Sequence, residues 1–175
     1  MKGRLFLILL LIGPTVSCAP ISKEIMYQVD TTLTFRDIQR DPDSYRGKTV
    51  LWGGVIVETN NKQQETLIKV RQTELDYQTR PISLDRSLGR FLIRQPGFLD
   101  PAIYSEGREI TVAGEVTGKE VLPLGNTQYT YPIIGAKEIY LWERRPEYRP
   151  FYPPWYYDPY YFWWPRHPYW RHPWW

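Results

Sequence analysis

From Arg108 to Lys119 the apolar side chains fall at every second position. Ile110, Val112, Gly114 and Val116 alternate there with neighbours that are polar except for the small Ala113. Successive side chains of a strand point to opposite faces, so such a run buries one face and wets the other. Thr49–Glu58, Glu65–Leu75, Gly89–Arg94 and Tyr129–Trp142 are also rich in β-branched and aromatic residues and read as strands, the last interrupted by Pro132 and Gly135. A chain patterned this way must bury five strands against one another.

The punctuation between the strands narrows the architecture. Thr34 caps a short helix with Phe35 and Ile38 on one face, and Asp41-Pro42-Asp43 stop it. Gly47 turns the chain into the first strand, Asn60-Asn61 make a turn, and residues 80–88 form a polar loop. Pro96-Gly97 and Asp100-Pro101 bracket a compact connection in which Phe98, Leu99, Ile103 and Tyr104 are expected to point inward. Pro123 to Asn126 turn the chain again. Three strands, a helix or plug, then two strands predict a mainly β fold, a small five-stranded OB-like antiparallel barrel. Gly53-Gly54 fit a strand that bends to serve two sheets. A β-sandwich hairpin with incidental glycines is the alternative.

The N-terminus has a different character. Lys2 and Arg4 precede an apolar run from Leu5 to Ile12, Gly13-Pro14 break it, and Ser17 precedes Cys18, the single cysteine of the chain. The run is about eight residues, well short of the ~20 a spanning helix needs. It reads as a secretory signal peptide over residues 1–17. A lone cysteine has no disulfide partner in an oxidising compartment. Thr15-Val16-Ser17-Cys18 resembles a bacterial lipoprotein lipobox, with Thr15 where Leu is usual. That resemblance implies a diacylglycerol on the Cys18 thiol, cleavage that makes Cys18 the first residue, and acylation of its amine, commonly by palmitate. Ala19 after Cys18, in place of Asp, implies sorting to the outer membrane.

Residues 18–26 then read as a lipidated tether, 27–145 as the barrel and 146–175 as a tail. The formal charge of +3 falls to +1 once Lys2 and Arg4 leave with the leader, and the tail carries another +1, so the body is neutral. That excludes an electrostatic footprint for nucleic acid.

The body carries a series of motifs: Pro42-Asp43-Ser44-Tyr45-Arg46-Gly47-Lys48, Val50-Leu51-Trp52-Gly53-Gly54-Val55-Ile56, Asp85-Arg86-Ser87-Leu88-Gly89-Arg90-Phe91 and Gly97-Phe98-Leu99-Asp100-Pro101. Tyr104, Gly107-Arg108-Glu109-Ile110-Thr111-Val112-Ala113-Gly114, Tyr131-Pro132-Ile133-Ile134-Gly135-Ala136 and Leu141-Trp142 follow. In this order they resemble the Slp family of outer-membrane lipoproteins. The resemblance spans leader and body and stops at about Arg145. It implies a lipid-anchored domain facing the periplasm, with no catalytic residues to carry over and a role in envelope maintenance or interaction, related to stress or starvation.

Reactive chemistry is sparse. The two histidines, His167 and His172, both lie in the tail, so a Ser-His or Cys-His pair has no histidine within the barrel. Their five-residue spacing in the tail does not assign a metal site, and no cofactor is expected. Asp76, Asp85 and Asp100 flank loops, where Asp beside Pro or Ser reads as a turn residue before a catalytic one. The expected protein is not an enzyme. Arg90 and Arg108 are the candidate ligand-binding pair. On one barrel face, their guanidinium forks would suit an anionic glycan or a lipid head group.

The tail changes composition abruptly, with eight prolines and fifteen aromatics in thirty residues. Trp155, Trp163, Trp164, Trp170, Trp174 and Trp175 are here, and Arg-His-Pro-aromatic-Trp occurs twice at the end. Proline at this density prevents helices and ladders and favours an extended chain. Such a chain has no core of its own, so its aromatics are expected to be disordered or to meet a membrane surface, a glycan or an envelope protein.

Overall fold

A computed structural model describes residues 20–145 of the chain, and all of its named elements fall in a unit that ends at Arg144. The alternating runs form β1 (Thr49–Asn61), β2 (Glu65–Thr73), β3 (Gly89–Pro96), β4 (Glu109–Leu124) and β5 (Thr127–Leu141). They close into a barrel in the order β1-β2-β3-β5-β4. All pairings are antiparallel except β3 with β5, which is parallel over Leu92–Arg94 and Ile133–Gly135. This is the OB-type barrel that the strand order predicts.

β1 belongs to both sides of the closure. It pairs with β4 from Thr49 to Val55 and with β2 from Gly53 to Asn61. The two ladders overlap only at Gly53–Val55, where the strand must bend sharply. A Cβ on Gly53 would stand 2.8 Å from the Ile110 carbonyl oxygen, and one on Gly54 would overlap the Arg71 carbonyl. The glycines are therefore there for close backbone approach, as a bend within a strand requires.

The core is made of inward residues from every strand: Val50, Trp52 and Ile56, then Ile68 and Val70, Phe91 and Ile93, Ile110, Val112 and Val116, and Ile134. A second helix, α2 (Phe35–Arg40), adds Phe35 and Ile38. Its N-cap Thr34 and Asp37 exchange hydrogen bonds in a capping box, Asp37 N–H to Thr34 Oγ1 at 3.3 Å and Thr34 N–H to Asp37 Oδ2 at 3.2 Å. The Phe35 ring meets Trp52 at 4.8 Å, and Trp52 meets Phe91 edge-on at 5.2 Å. The plug of this barrel is thus α2, which precedes β1.

The β3–β4 connection is only in part the inward plug that the sequence suggests. It is a series of turns in which Leu99 and Tyr104 pack against the core, while Phe98 and Ile103 are exposed. Asp100 holds its shape: its side chain accepts from Ala102 N–H at 2.8 Å and its carbonyl accepts from Ile103 and Tyr104. That turn leaves only part of the apolar set facing inward.

Two further departures concern chain boundaries. β4 continues past Lys119 to Leu124 and β5 begins at Thr127, so the turn expected over residues 123–126 closes at its last two residues, Gly125-Asn126, with Gly125 at φ +60°. Glycine supplies the positive φ such a tight hairpin needs. Pro132 is accommodated just outside the short β3–β5 ladder, next to a sheet edge. Leu92, Tyr131 and Ile133 form a second buried cluster joined by Leu122 and Tyr129 of the same hairpin.

The other departure is at the N-terminal end. Residues 21–26, expected to belong to a tether, are folded onto the body. Ile21 is only 3% exposed, and Ser22 N–H donates to Glu138 Oε2 of β5 at 2.7 Å. Ser22 caps a one-turn helix, α1 (Lys23–Met26), and Val29 then bridges Thr49 at the start of β1.

Candidate functional site

The candidate arginines are placed by strands that β5 separates, β3 and β4, and are not brought together. Arg90 follows Gly89 in β3 and precedes the core residue Phe91, so it shares the outer face with Leu92. It stands opposite Arg71 of β2, and its backbone N–H donates to the Tyr129 hydroxyl at 2.8 Å. Arg108 stands just before β4, in step with the inward residues Ile110 and Val112. Its guanidinium donates from Nη1 to the Ile103 carbonyl at 2.9 Å and from Nη2 to the Trp142 carbonyl at 2.6 Å. It ties the β3–β4 connection to the end of β5.

The neighbouring arginines are used in the same structural way. Arg71 donates to the Leu84 carbonyl at 2.6 Å, and Arg94 pairs with Glu65 at 3.2 Å. Arg80 has the fullest environment. Its Nε lies 2.6 Å from the buried Glu109 carboxylate, its Nη2 donates to the Glu143 carbonyl at 3.0 Å, and its guanidinium lies 5.2 Å from the Trp142 ring centre. Trp142 Nε1 donates to Thr111 Oγ1 at 2.9 Å, and Thr111 Oγ1 donates to the Thr79 carbonyl at 2.7 Å. This polar cluster fastens the β2–β3 loop to β4 and β5. Sequence reasoning singled out neither Arg80 nor Trp142 for it, because partners so far apart in the chain leave no spacing signal.

The loop carboxylates do turn work. Asp76 accepts from the N–H groups of Gln78 at 2.8 Å and Arg80 at 2.9 Å, Asp100 holds the turn described above, and Asp85 lies on an exposed turn. Among the described residues, no three His, Cys, Asp or Glu side chains are grouped as a metal site.

Two electrostatic contacts outside the loops perturb titration. Lys119 of β4 lies 2.8 Å from Asp43, which also pairs with Arg46 at 2.7 Å. The Lys119 hydrogen bond, then that of Arg46, holds the Asp43 carboxyl below its ordinary 3.8, and the same contact raises Lys119 above 10.5. At α2, hydrogen bonds from the Thr34 side chain and backbone hold Asp37 below 3.8.

The outer surface also carries a cleft of about 290 Å³ between β1–β2 and the β4–β5 hairpin. Leu67, Leu92 and Leu122 line it together with Glu58, Lys69 and Glu120, and Lys69 is paired with Glu58 at 2.6 Å. Cys18 and the tail tryptophans, Trp155, Trp163, Trp164, Trp170, Trp174 and Trp175, lie outside the described residues.

With the barrel defined, the similarity to known proteins is specific. The chain matches the outer membrane lipoprotein Slp family over residues 16–174. The protein belongs to the Slp family. The outer membrane protein Slp of Escherichia coli K12 is 28% identical over 144 residues, which covers 82% of this chain and 76% of that protein. An uncharacterised protein of Haemophilus influenzae is 32% identical over 145 residues, 81% of this chain and 78% of its own. The uncharacterised lipoprotein YeaY of Escherichia coli K12 is 32% identical over 101 residues, 58% of this chain and 52% of its own.

The Slp match begins two residues before Cys18 and reaches the penultimate residue, so it takes in the tail that the motif resemblance stops short of. A tail of prolines and aromatics has no alternation or turn spacing from which such a relation can be read. Slp membership supports an outer-membrane location.

Proposed function

We propose that this Slp-family protein is a lipid-anchored, non-enzymatic component of the outer membrane, with its barrel facing the periplasm and a role in envelope maintenance or interaction. The observation that carries this reading is the family match that starts at residue 16 and includes Cys18, directly behind a signal-peptide pattern. Several acyl chains, each methylene contributing about 0.8 kcal/mol, hold a protein at a membrane far more firmly than one chain. The use of Arg71, Arg80, Arg94 and Arg108 in bonds that hold loops and strands together agrees with a barrel built for stability. The aromatic tail is assigned to the membrane surface, where Trp and Tyr favour the interface and arginine reaches head groups.

On this reading Cys18 supplies the affinity and the tail adds contact. Replacing Cys18→Ser in the full chain is expected to move the protein out of the outer-membrane fraction or leave its signal peptide uncleaved. Ending the chain at Arg145 is expected to leave it in that fraction. Unchanged fractionation and processing of Cys18→Ser would remove the lipid anchor from the account.

A further inference from the structure

We propose that α1 and its exposed C-terminal residues, Met26 and Tyr27, form the surface of the barrel that lies against the phospholipid bilayer. The proposal rests on the lipid-anchor reading of Cys18 and adds a fixed orientation to it. Only Ala19 and Pro20 separate Cys18 from Ile21. Consecutive Cα atoms are 3.80 Å apart, so Ile21 lies within about 11 Å of the Cys18 Cα in any conformation.

Ile21 is not free to move away from the body. Its side chain is buried, and the next residue donates its N–H to Glu138 on β5. The acyl chains on Cys18 must start at the membrane interface, whose polar layer on each side is about 5–8 Å thick. A leash this short brings the Ile21 side of the barrel to that layer.

The residues presented there suit it. α1 rises about 1.5 Å per residue, so Tyr27 stands on the order of 10 Å from Ile21. Tyr27 is 89% exposed and Met26 38% exposed, although neither has an evident reason to face water. Tyrosine prefers the bilayer interface, and Lys23 on the same turn can extend its ammonium to a phosphate. Glu24 offsets the charge of Lys23, so the contact is set by the leash and by apolar surface more than by electrostatic capture.

The opposite end of the barrel is then fixed as well. Val29 bridges Thr49 at the start of β1, whereas Gln63 lies beyond the other end of that strand. Thirteen residues at about 3.3 Å each span on the order of 40 Å before curvature. The β1–β2 hairpin is the end held away from the bilayer.

The test uses the full lipidated chain. Acylation consumes the single native thiol, so Tyr27→Cys or Gln63→Cys introduces the only reactive one. Each is spin-labelled and reconstituted into vesicles of phosphatidylethanolamine and phosphatidylglycerol, and collision rates with oxygen and with a water-soluble nickel chelate are compared. The oxygen-to-nickel ratio is expected to be several-fold higher at position 27 than at 63. Lys23→Cys leaves Tyr27 in place and is expected to rank with position 27. Water-like ratios at 23 and 27 in protein that floats with the vesicles would overturn the orientation alone. Protein that does not float would overturn the anchor, and the orientation with it.

Discussion

At the scale of single residues, the barrel depends on a few positions where backbone geometry leaves no choice. Gly54 sits where β1 passes from one ladder to the next, against the Arg71 carbonyl. Because backbone lies on the blocked side, no rotamer change can relieve a new methyl group. Gly54→Ala is expected to destabilise the fold by about 3 kcal/mol, the upper range for overpacked sites. A lowered urea midpoint with an unchanged slope would show it, and an unchanged midpoint would contradict the close approach. The Gly53-Gly54 pair was legible in the sequence because glycine within a strand has few other uses. The work of Arg108 was not. Its type suggests an anion, and only the fold shows its guanidinium spent on the Ile103 and Trp142 carbonyls.

At the scale of elements, strands were legible where burial on one face imposes period two, as in β4 from Ile110 to Val116. The continuation of β4 and β5 was not, because Pro123 reads as a turn and Pro132 as a break while the hairpin accommodates both. The spacing of Phe35 and Ile38 revealed an apolar helical face but not which part of the barrel it covers. The polar run Ser22-Lys23-Glu24 resembled a linker because one helical turn carries too little periodicity to register. The 3-10 turn at Pro42–Tyr45 is held to β4 by charge, and this gives a pH signature. Asp43 and Asp37 have folded pKa values below 3.8, so their contribution is complete above that value and is lost as pH falls through the folded values. Lys119 is raised above 10.5, so its contribution holds below that pH and fades at higher pH. Melting temperature is expected to fall below about pH 4, and Asp43→Asn is expected to flatten that fall. An acid limb of unchanged steepness would show that the Lys119–Asp43 pair does not link the turn to the barrel.

At the scale of the whole molecule, a chain of the Slp family joins a five-stranded barrel to a cysteine near its N-terminus and an aromatic, proline-rich end. Fold and family were both legible, the first from strand order and the second from motif order. The candidate site was less so, because its signals lie at the two ends, where composition speaks of a surface and names no ligand. On the proposed reading, the short leash replaces a free tether with a barrel that rests on its own membrane. Everything in that picture depends on what Cys18 carries. The most direct measurement is the intact mass of the mature protein extracted from membranes. The account predicts a chain that begins at Cys18 and carries a diacylglycerol and an additional acyl group. A mass equal to the unmodified polypeptide, with or without its leader, would contradict it.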